Sequence, residues 1–277
     1  MLLDQYKNTL EYLLDNNGNT KHATLIDPEK QSPDQASKIV QIAIEAGTDL
    51  ILIGGSTTNK TSVEKTVEII QEVMELQQWA TTQNNLFTNQ QITVPIILFP
   101  NASTTLSKNA DALLFMTLLN SNSTKYLIKE QLKATKFIFQ NNIETISTGY
   151  LIFEPGMRVG EIGEAELIKT TDLETTTTYS RLAKYFNFQI LYLEAGSGAT
   201  TPIPKEIIST SKKEFEGLLF VGGGIKTPKQ AKNAALAGAD WIVTGNLVES
   251  FEDYTNLKIK LKTLIDEIKL PIKEPPQ

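Results

Sequence analysis

Short apolar runs rich in β-branched residues alternate along this chain with amphipathic stretches, and this alternation constrains the fold more than any other feature. The eight runs predicted as strands span residues 22–26, 50–53, 94–98, 112–115, 144–153, 189–193, 218–221 and 241–243. Helical periodicity is predicted for residues 34–46, 60–79, 125–139, 179–186, 205–212, 228–237 and 247–268. Strands that alternate with helices in this way form parallel sheets.

Eight such units in 277 residues predict an α/β protein with a single (β/α)8 barrel. We expect one domain, with an N-terminal helix in residues 1–20, the barrel in 21–268 and a frayed tail in 269–277. The third unit is predicted to be modified, because residues 100–111 leave room for only a short helix. Residues 161–178, which include a run of threonines, are predicted to form a long irregular loop.

Composition excludes several kinds of chemistry. The chain has no cysteine and one histidine, which rules out disulfides and thiolate catalysis and disfavours a multi-histidine metal site. A formal charge of −6 disfavours nucleic acid as a partner. The N-terminus is a poor signal peptide, and the longest apolar run, 112–119, is too short to span a bilayer. We therefore expect a cytoplasmic protein.

Six of the predicted strands end in loop-forming residues. In a (β/α)8 barrel these ends share one face, and the active site lies there. The endings are Asp27-Pro28, Gly54-Gly55-Ser56, Pro100-Asn101, Glu154-Pro155-Gly156, Gly196-Ser197-Gly198 and Gly222-Gly223-Gly224.

The two segments after the seventh and eighth strands predict a phosphate site. VGGGIKTPKQA, residues 221–231, combines glycines with a helix start, for which Thr227 is the expected N-cap and Pro228 the first helical residue. Glycines permit close approach of the backbone, and a helix N-terminus offers N–H donors to an anion. TGN, residues 244–246, ends the adjacent strand, and these two loops form the recurrent phosphate site of the fold. Purely steric turn glycines are the alternative.

Three further side chains are candidates for chemistry at the same face. Glu194 ends the sixth strand and is suited to hold or deprotonate a substrate hydroxyl, although a salt-bridged rim glutamate is the alternative. Asp27 and Ser56 end the first two strands and suit Mg²⁺, but an Asp-Pro turn and a turn-capping serine fit the spacing equally well. His22, Trp79 and Trp241 are interpreted as structural, whereas the apolar run 112–119 fits either a core strand or a lipid groove.

Seven segments together resemble the geranylgeranylglyceryl phosphate synthase family, which includes the PcrB-type heptaprenylglyceryl phosphate synthases. The resemblance covers about residues 21–268. The segments are, in order, HATLIDPEK, GTDLILIGGST, PIILFPN, GYLIFEPG, YLEAGSGA, FVGGGIKTP and GADWIVTGN.

The resemblance implies a modified (β/α)8 barrel that joins a polyprenyl diphosphate, such as geranylgeranyl diphosphate, to sn-glycerol 1-phosphate. It implies Mg²⁺ held by Asp27 and Ser56. The predicted catalytic residues are Glu194 and Asp27. Phe99, Phe115 and Tyr150 would line the prenyl groove. A homo-oligomer, dimer or hexamer, is implied, and a peripheral membrane contact is left open. The glycerol phosphate would contact Tyr192, Leu193, Glu194, Ala195, Gly196, Ser197, Gly198, Gly223, Gly224, Gly245 and Asn246.

One position departs from the family pattern. PcrB-type members carry a lysine two residues before the aspartate of the first motif, where this chain has Leu25. Lys21, Lys30 or Arg158 is the candidate substitute for that basic contact. Two other functions remain as alternatives: a barrel isomerase or synthase acting on a sugar or indole phosphate, and a non-catalytic binding barrel.

Overall fold

Eight parallel strands close into a barrel in the computed structural model, which describes residues 6–15, 18–84 and 94–269. Each strand pairs with its neighbours in sequence, and β8 pairs with β1. This confirms the predicted (β/α)8 barrel. The strands are β1 (Lys21–Ile26), β2 (Leu50–Ile53), β3 (Ile96–Leu98), β4 (Ala112–Leu118), β5 (Glu144–Ile152), β6 (Ile190–Glu194), β7 (Leu218–Gly222) and β8 (Trp241–Thr244).

Helices surround the barrel, and several begin at strong local signals. Ser32 and Thr227 each form a capping box, with a proline at the start of the helix, as predicted for Thr227 and Pro228. The helices are α1 (Thr9–Leu14), α2 (Pro33–Ala46), α3 (Lys60–Asn84), α4 (Glu130–Asn141, preceded by a π-helical turn, Lys125–Lys129), α5 (Met157–Ile162), α6 (Leu173–Tyr185), α7 (Lys205–Glu214), α8 (Pro228–Leu236), α9 (Asn246–Glu249) and α10 (Tyr254–Lys269).

The third unit is modified, as the sequence predicted. Within residues 94–111, β3 is followed by bends and turns and no helix. Strand β3 pairs with β4 at two positions, Ile97↔Ala112 and Leu98↔Leu113, whereas β4 pairs with β5 at seven. Beyond Leu113, the side of β4 that faces β3 is therefore open.

Apolar side chains form one core inside the barrel and another between the barrel and its helices. Trp241, Phe220 and Tyr192 fill the interior, which confirms Trp241 as a packing residue. His22 faces outward, where its two ring nitrogens lie 2.9 Å from the hydroxyl oxygens of Thr48 and Thr244. Burial lowers the pKa of His22 to about 3, so it is a neutral structural residue, as predicted.

Helix α1 closes the end of the barrel opposite the strand C-termini. The side chain of Leu13 is fully buried in the interior core, and the indole of Trp241 donates a hydrogen bond to its carbonyl. The Glu144 carboxylate, at the start of β5, accepts hydrogen bonds from the backbone N–H groups of Thr9 and Leu10. These contacts satisfy donors in the first turn of α1 and fix it across the barrel.

Two predictions about the segment before β6 and about α3 were wrong. Residues 161–178 are not one irregular loop, because α5 ends at Ile162 and α6 starts at Leu173. The Asp172 side chain caps α6, and the hydroxyl of Thr176 donates to the carbonyl of Asp172, so the threonine run is helical. Trp79 is 65% exposed and lies outside the core, in contrast to its predicted packing role.

The limits of the barrel differ slightly from those predicted. The expected closing helix is divided into α9 and α10, and within residues 6–15 the N-terminal helix spans Thr9–Leu14. Residues 1–5, 16–17 and 270–277 lie outside the described part of the chain, and with them most of the expected tail. Among the described helices, none has the length and hydropathy that a bilayer span requires.

Leu13→Ala should lower the free energy of unfolding by about 2–4 kcal/mol, because it leaves a cavity beneath Trp241. Leu14→Ala is the matched control: its side chain is 54% exposed, and its cost should be below about 0.5 kcal/mol. Urea unfolding of both variants measures the difference. Equal costs would show that α1 does not close the barrel.

Candidate active site

Residues from the ends of β1, β6, β7 and β8 surround one polar pocket at the mouth of the barrel. The predicted site residues Tyr192, Glu194, Ser197, Gly223, Gly224, Gly245 and Asn246 all line it, together with Leu25, Ile225, Val243 and Thr244. The structure thus brings together residues separated by more than fifty positions in the sequence, as the barrel topology predicts.

Glycines shape this pocket because their backbone conformations are closed to most side chains. Gly196 and Gly223 have φ values of 100° and 81°. A Cβ atom on Gly223 would lie 2.3 Å from Oε1 of Glu194, and one on Gly222 would lie 2.3 Å from the hydroxyl of Tyr192. Glycine at both positions is therefore required for the backbone of β7 to approach these two side chains.

Glu194 is the buried acid of the site. Its side chain points into the barrel mouth, is 6% exposed, and accepts a hydrogen bond from the backbone N–H of Gly196 at 2.7 Å. Burial raises its pKa to about 7, although hydrogen bonds from Gly196, Tyr192 and Tyr150 oppose this shift. A carboxyl group with such a pKa can both hold and release a proton near neutral pH.

The phenols of Tyr150 and Tyr192 both donate to Glu194, and sequence reasoning missed this arrangement. Burial raises the pKa of each phenol well above its usual value, so both remain protonated donors. Tyr150 and Tyr192 are Cα partners across β5 and β6, and Phe99 packs against both rings at 5.7 and 5.3 Å. Only the register of β5 against β6 places the two phenols together, and the sequence alone does not reveal that register.

A cluster of polar side chains forms the rim beside Asn246. The ammonium of Lys30 lies 2.8 Å from Oε2 of Glu249 and 3.4 Å from the Ser197 hydroxyl. The amide of Asn246 also donates to Glu249, and its oxygen accepts from the backbone N–H of Gly198. The Glu249 carboxylate thus engages two groups, Lys30 and Asn246, that suit an anionic ligand.

The three candidates for the missing basic residue lie in different places. Leu25 lines the polar pocket, and both it and Glu249 lie within 4 Å of a Cβ atom placed on Gly245. Lys30, at the rim, is bound to that Glu249 carboxylate. Lys21 lies at the opposite end of the barrel, where its ammonium packs over the rings of Tyr12 and Trp241, so its candidacy was wrong. Arg158 lies on α5.

Asp27 and Ser56 come from adjacent loops at the same rim. A Cβ atom on Gly55 would lie 2.5 Å from both carboxylate oxygens of Asp27, which puts the loop that carries Ser56 directly against this carboxylate. Burial raises the pKa of Asp27, and the ammonium of Lys30 lies 3.8 Å away. No group of three or more metal-binding side chains occurs in the described ranges.

Two of the predicted phosphate contacts face away from the pocket. The side chains of Leu193 and Ala195 pack in the core between barrel and helices, because neighbouring strand residues alternate between the two sides. Only their backbone atoms are available to a ligand in the pocket.

An apolar groove lies near the polar pocket, on the side where no helix connects β3 to β4. Its walls come from the β3–β4 loop, β4, α4 and α5, and it includes Phe115 and Tyr150, which the resemblance had assigned to it. Phe99 belongs instead to the aromatic cluster with Tyr150 and Tyr192. Tyr150 borders the groove, Tyr192 borders the polar pocket, and both phenols bond to Glu194, so this carboxylate links the two cavities.

These features define a barrel enzyme in which a polar pocket and an apolar groove converge on one buried acid. The chain belongs to the PcrB family, whose family model matches residues 16–265. It is 42% identical to geranylgeranylglyceryl phosphate synthase of Thermoplasma volcanium over 249 residues, 90% of each chain. It is 41% identical to the enzyme of that name from Methanosarcina acetivorans, covering 94% of this chain and 97% of the relative.

Solved structures agree with this assignment. The crystal structure of (S)-3-O-geranylgeranylglyceryl phosphate synthase from Thermoplasma acidophilum in complex with sn-glycerol-1-phosphate superposes with a TM-score of 0.84. It is 35% identical and covers 95% of this chain and 98% of its own. A thiamine phosphate pyrophosphorylase from Pyrococcus furiosus, 12% identical with a TM-score of 0.56 and covering 93% of this chain and 99% of its own, shares the fold alone.

Compared with the unsubstituted protein, the Glu194→Gln variant should gain more stability at pH 8 than at pH 5. The pKa of Glu194 is about 7 in the fold and ordinarily 4.5, so folding favours the protonated form and stability is lost as pH rises between those values. At pH 8 glutamine avoids a buried charge, and the gain should be about 1–3 kcal/mol. Thermal unfolding at both pH values measures it; a variant less stable at pH 8 than at pH 5, relative to the unsubstituted protein, would contradict this assignment.

Proposed function

We propose that this enzyme joins geranylgeranyl diphosphate, or a similar polyprenyl diphosphate, to sn-glycerol 1-phosphate. The products are an ether-linked prenylglyceryl phosphate and diphosphate. The observation that carries the proposal is the meeting of the polar pocket and the apolar groove at Glu194, since the reaction needs a polar and a long apolar substrate side by side. The relatives that bear this activity as their name cover nearly the whole chain.

The glycerol phosphate would occupy the polar pocket. Its phosphoryl group would lie against the backbone of Gly223, Gly224, Gly245 and Asn246. Gly223 and Gly224 are in the left-handed conformation and, like Gly245, carry no side chain to keep a ligand from the backbone. Residues 192–198 would hold the glycerol on the other side, through Tyr192, Glu194 and Ser197. Fixing the nucleophile in this way removes much of the entropic barrier to a two-substrate reaction.

Glu194 would orient the reacting glycerol hydroxyl and accept its proton as the oxygen attacks the first carbon of the prenyl chain. The carbon–oxygen bond to diphosphate breaks, and diphosphate leaves with the electron pair. Tyr150 and Tyr192 would hold the carboxylate in position and stabilise its ionised form. Leu25, Val243 and the aromatic rings around this carboxylate would exclude water from the reacting atoms.

Asp27 and Ser56 fit Mg²⁺, which accepts few protein ligands and completes its shell with water and phosphate oxygens. The donor set of one carboxylate and one hydroxyl matches that preference. Burial raises the pKa of Asp27, and a bound cation would favour its ionised form. When bound, the ion would neutralise negative charge on the leaving diphosphate.

Lys30 would supply the basic contact that is missing at Leu25. Its ammonium lies between Asp27 and Ser197, the two regions assigned to the diphosphate and the glycerol phosphate. Glu249 holds Lys30 and Asn246 without substrate, and a phosphoryl oxygen would replace that carboxylate.

Self-association stays a prediction of the family resemblance, and a cytoplasmic location stays a prediction from the composition. Tyr185 and Phe186, both exposed at the end of α6, offer an apolar surface that a second copy would cover. The alternative of a sugar- or indole-phosphate enzyme is favoured by no feature of this site, since similarity to such proteins extends to the fold alone.

Glu194→Gln should lower kcat by about 10²–10⁴-fold in an assay of diphosphate release that requires both substrates. In the unsubstituted enzyme, kcat/KM should rise with pH through about 7 as Glu194 loses its proton. Tyr150→Phe removes a donor to the ionised carboxylate and should move this rise to higher pH. A pH profile that Tyr150→Phe leaves unchanged would remove the phenol from the mechanism.

Lys30→Met should raise KM for glycerol 1-phosphate by about tenfold, because it removes a charge-assisted hydrogen bond. Lys30→Arg should restore most of the affinity, since it keeps the charge. Lys226→Met is the control, because Lys226 lies exposed in the loop after β7 and does not line the pocket. Steady-state kinetics with all three variants test this role; an unchanged KM in Lys30→Met would show that the basic contact lies elsewhere.

Ala134→Phe should shorten the prenyl chain that the enzyme accepts, because Ala134 is a buried groove-wall residue on α4. Mass spectrometry of products from a mixture of prenyl diphosphates gives the length distribution. The dissociation constant for glycerol 1-phosphate should not change, which separates groove blockage from misfolding. An unaltered distribution of product lengths would show that the prenyl chain does not bind in this groove.

A further inference from the structure

We infer that the exposed face of residues 125–139 docks on the surface of an anionic lipid bilayer. This inference rests on the proposed function and names the membrane surface from which the prenyl substrate is drawn. The face, called the basic face below, comprises Lys125, Ile128, Lys129, Leu132, Lys133, Lys136 and Phe139 from the π-helical turn and α4.

Three large apolar side chains on the basic face are turned to solvent. Ile128, Leu132 and Phe139 are 52%, 61% and 87% exposed. Leu132 and Phe139 are seven residues apart, so they project from the same side of α4, two turns from each other. Several large apolar side chains on one exposed helix face indicate a surface that binds a partner or a membrane.

The charge on this segment is opposite in sign to that of the whole chain. Residues 125–141 hold four lysines and one glutamate, a local charge of +3, whereas the protein carries −6. The single acid, Glu130, lines the groove, where one carboxylate oxygen accepts from the backbone N–H and hydroxyl of Ser103. Its other oxygen pairs with Lys133 at 2.8 Å, so Lys125, Lys129 and Lys136 supply the net positive charge of the face. Lysines beside exposed apolar residues match anionic headgroups over an acyl boundary.

The same segment forms a wall of the apolar groove. Tyr126, Gln131 and Ala134 line the groove from the inner side, while Ile128 and Leu132 lie on the outer side. A protein seated on a bilayer through the basic face would therefore place the groove beside the lipid. The prenyl chain of the substrate, which is itself anchored in a bilayer, would have a short path into the groove.

A second copy of the chain fits the basic face poorly. A two-fold contact brings the same patch of both copies together. Lysines of one copy would then face lysines of the other, and like charges in contact oppose association. The anionic bilayer is therefore the occupant that charge favours.

Co-sedimentation of the full chain with vesicles tests the inference. Binding should be strong to phosphatidylcholine mixed with phosphatidylglycerol, weak to phosphatidylcholine alone, and should fall as salt rises. Lys129→Glu with Lys136→Glu should weaken binding at least about twentyfold. Leu132→Ser with Phe139→Ser should weaken it at every salt concentration.

Lys258→Glu with Ile259→Ser on α10 is the matched control, since Ile259 is 62% exposed and neighbours a lysine. It should bind vesicles like the unsubstituted protein. The inference is overturned if the full chain ignores anionic vesicles, if the control loses binding equally, or if size-exclusion chromatography shows that the basic-face variants abolish a dimer instead.

Turnover of substrates in detergent micelles separates this inference from the proposed function. The basic-face variants should turn over normally there, because none of their residues lies in the pocket or groove. If the unsubstituted enzyme forms no product in micelles, the proposed function is wrong. Co-sedimentation with vesicles would still test the docking inference, because it does not depend on turnover.

Discussion

The buried carboxylate of Glu194 is the interaction on which the rest of the site depends. A charged group held away from water is costly, and the barrel compensates with three donors: the backbone of Gly196 and the phenols of Tyr150 and Tyr192. The close approach of β7 to these groups requires glycine at 222 and 223. The glycines that bring a ligand close to the backbone are therefore also the ones that leave room for the acid.

The lack of a helix between β3 and β4 is the second constraint, and it links the fold to the groove. With β3 reduced to three residues, β4 loses its partner beyond Leu113, and the side-chain amide of Gln131 donates instead to the carbonyl of Met116. The oxygen of that same amide is buried without a partner among the described residues, at the groove wall. The opening beside β4 thus forms an apolar groove that is bordered by Tyr150, a hydrogen-bond donor to Glu194.

Much of this arrangement could be predicted from the sequence, and the reasons are physical. Apolar runs and glycine-rich strand ends reflect local requirements of the backbone. The barrel, the modified third unit and seven of the residues that line the polar pocket could therefore be predicted. The pairing of Tyr150 with Tyr192 around Glu194 depends on strand register, which no local pattern encodes. The threonine run at 175–178 was misjudged because threonine hydroxyls that bond back to helical carbonyls make such a segment compatible with a helix. Trp79 was misjudged because burial depends on tertiary surroundings, which the residue type alone does not indicate.

A crystal structure with sn-glycerol 1-phosphate bound tests the central claim most directly. The account predicts the phosphoryl group between the Gly223–Gly224 and Gly245–Asn246 backbones, with a glycerol hydroxyl within hydrogen-bond distance of the Glu194 carboxylate. A phosphoryl group bound at another end of the barrel, or a glycerol whose hydroxyls all point away from Glu194, would contradict it.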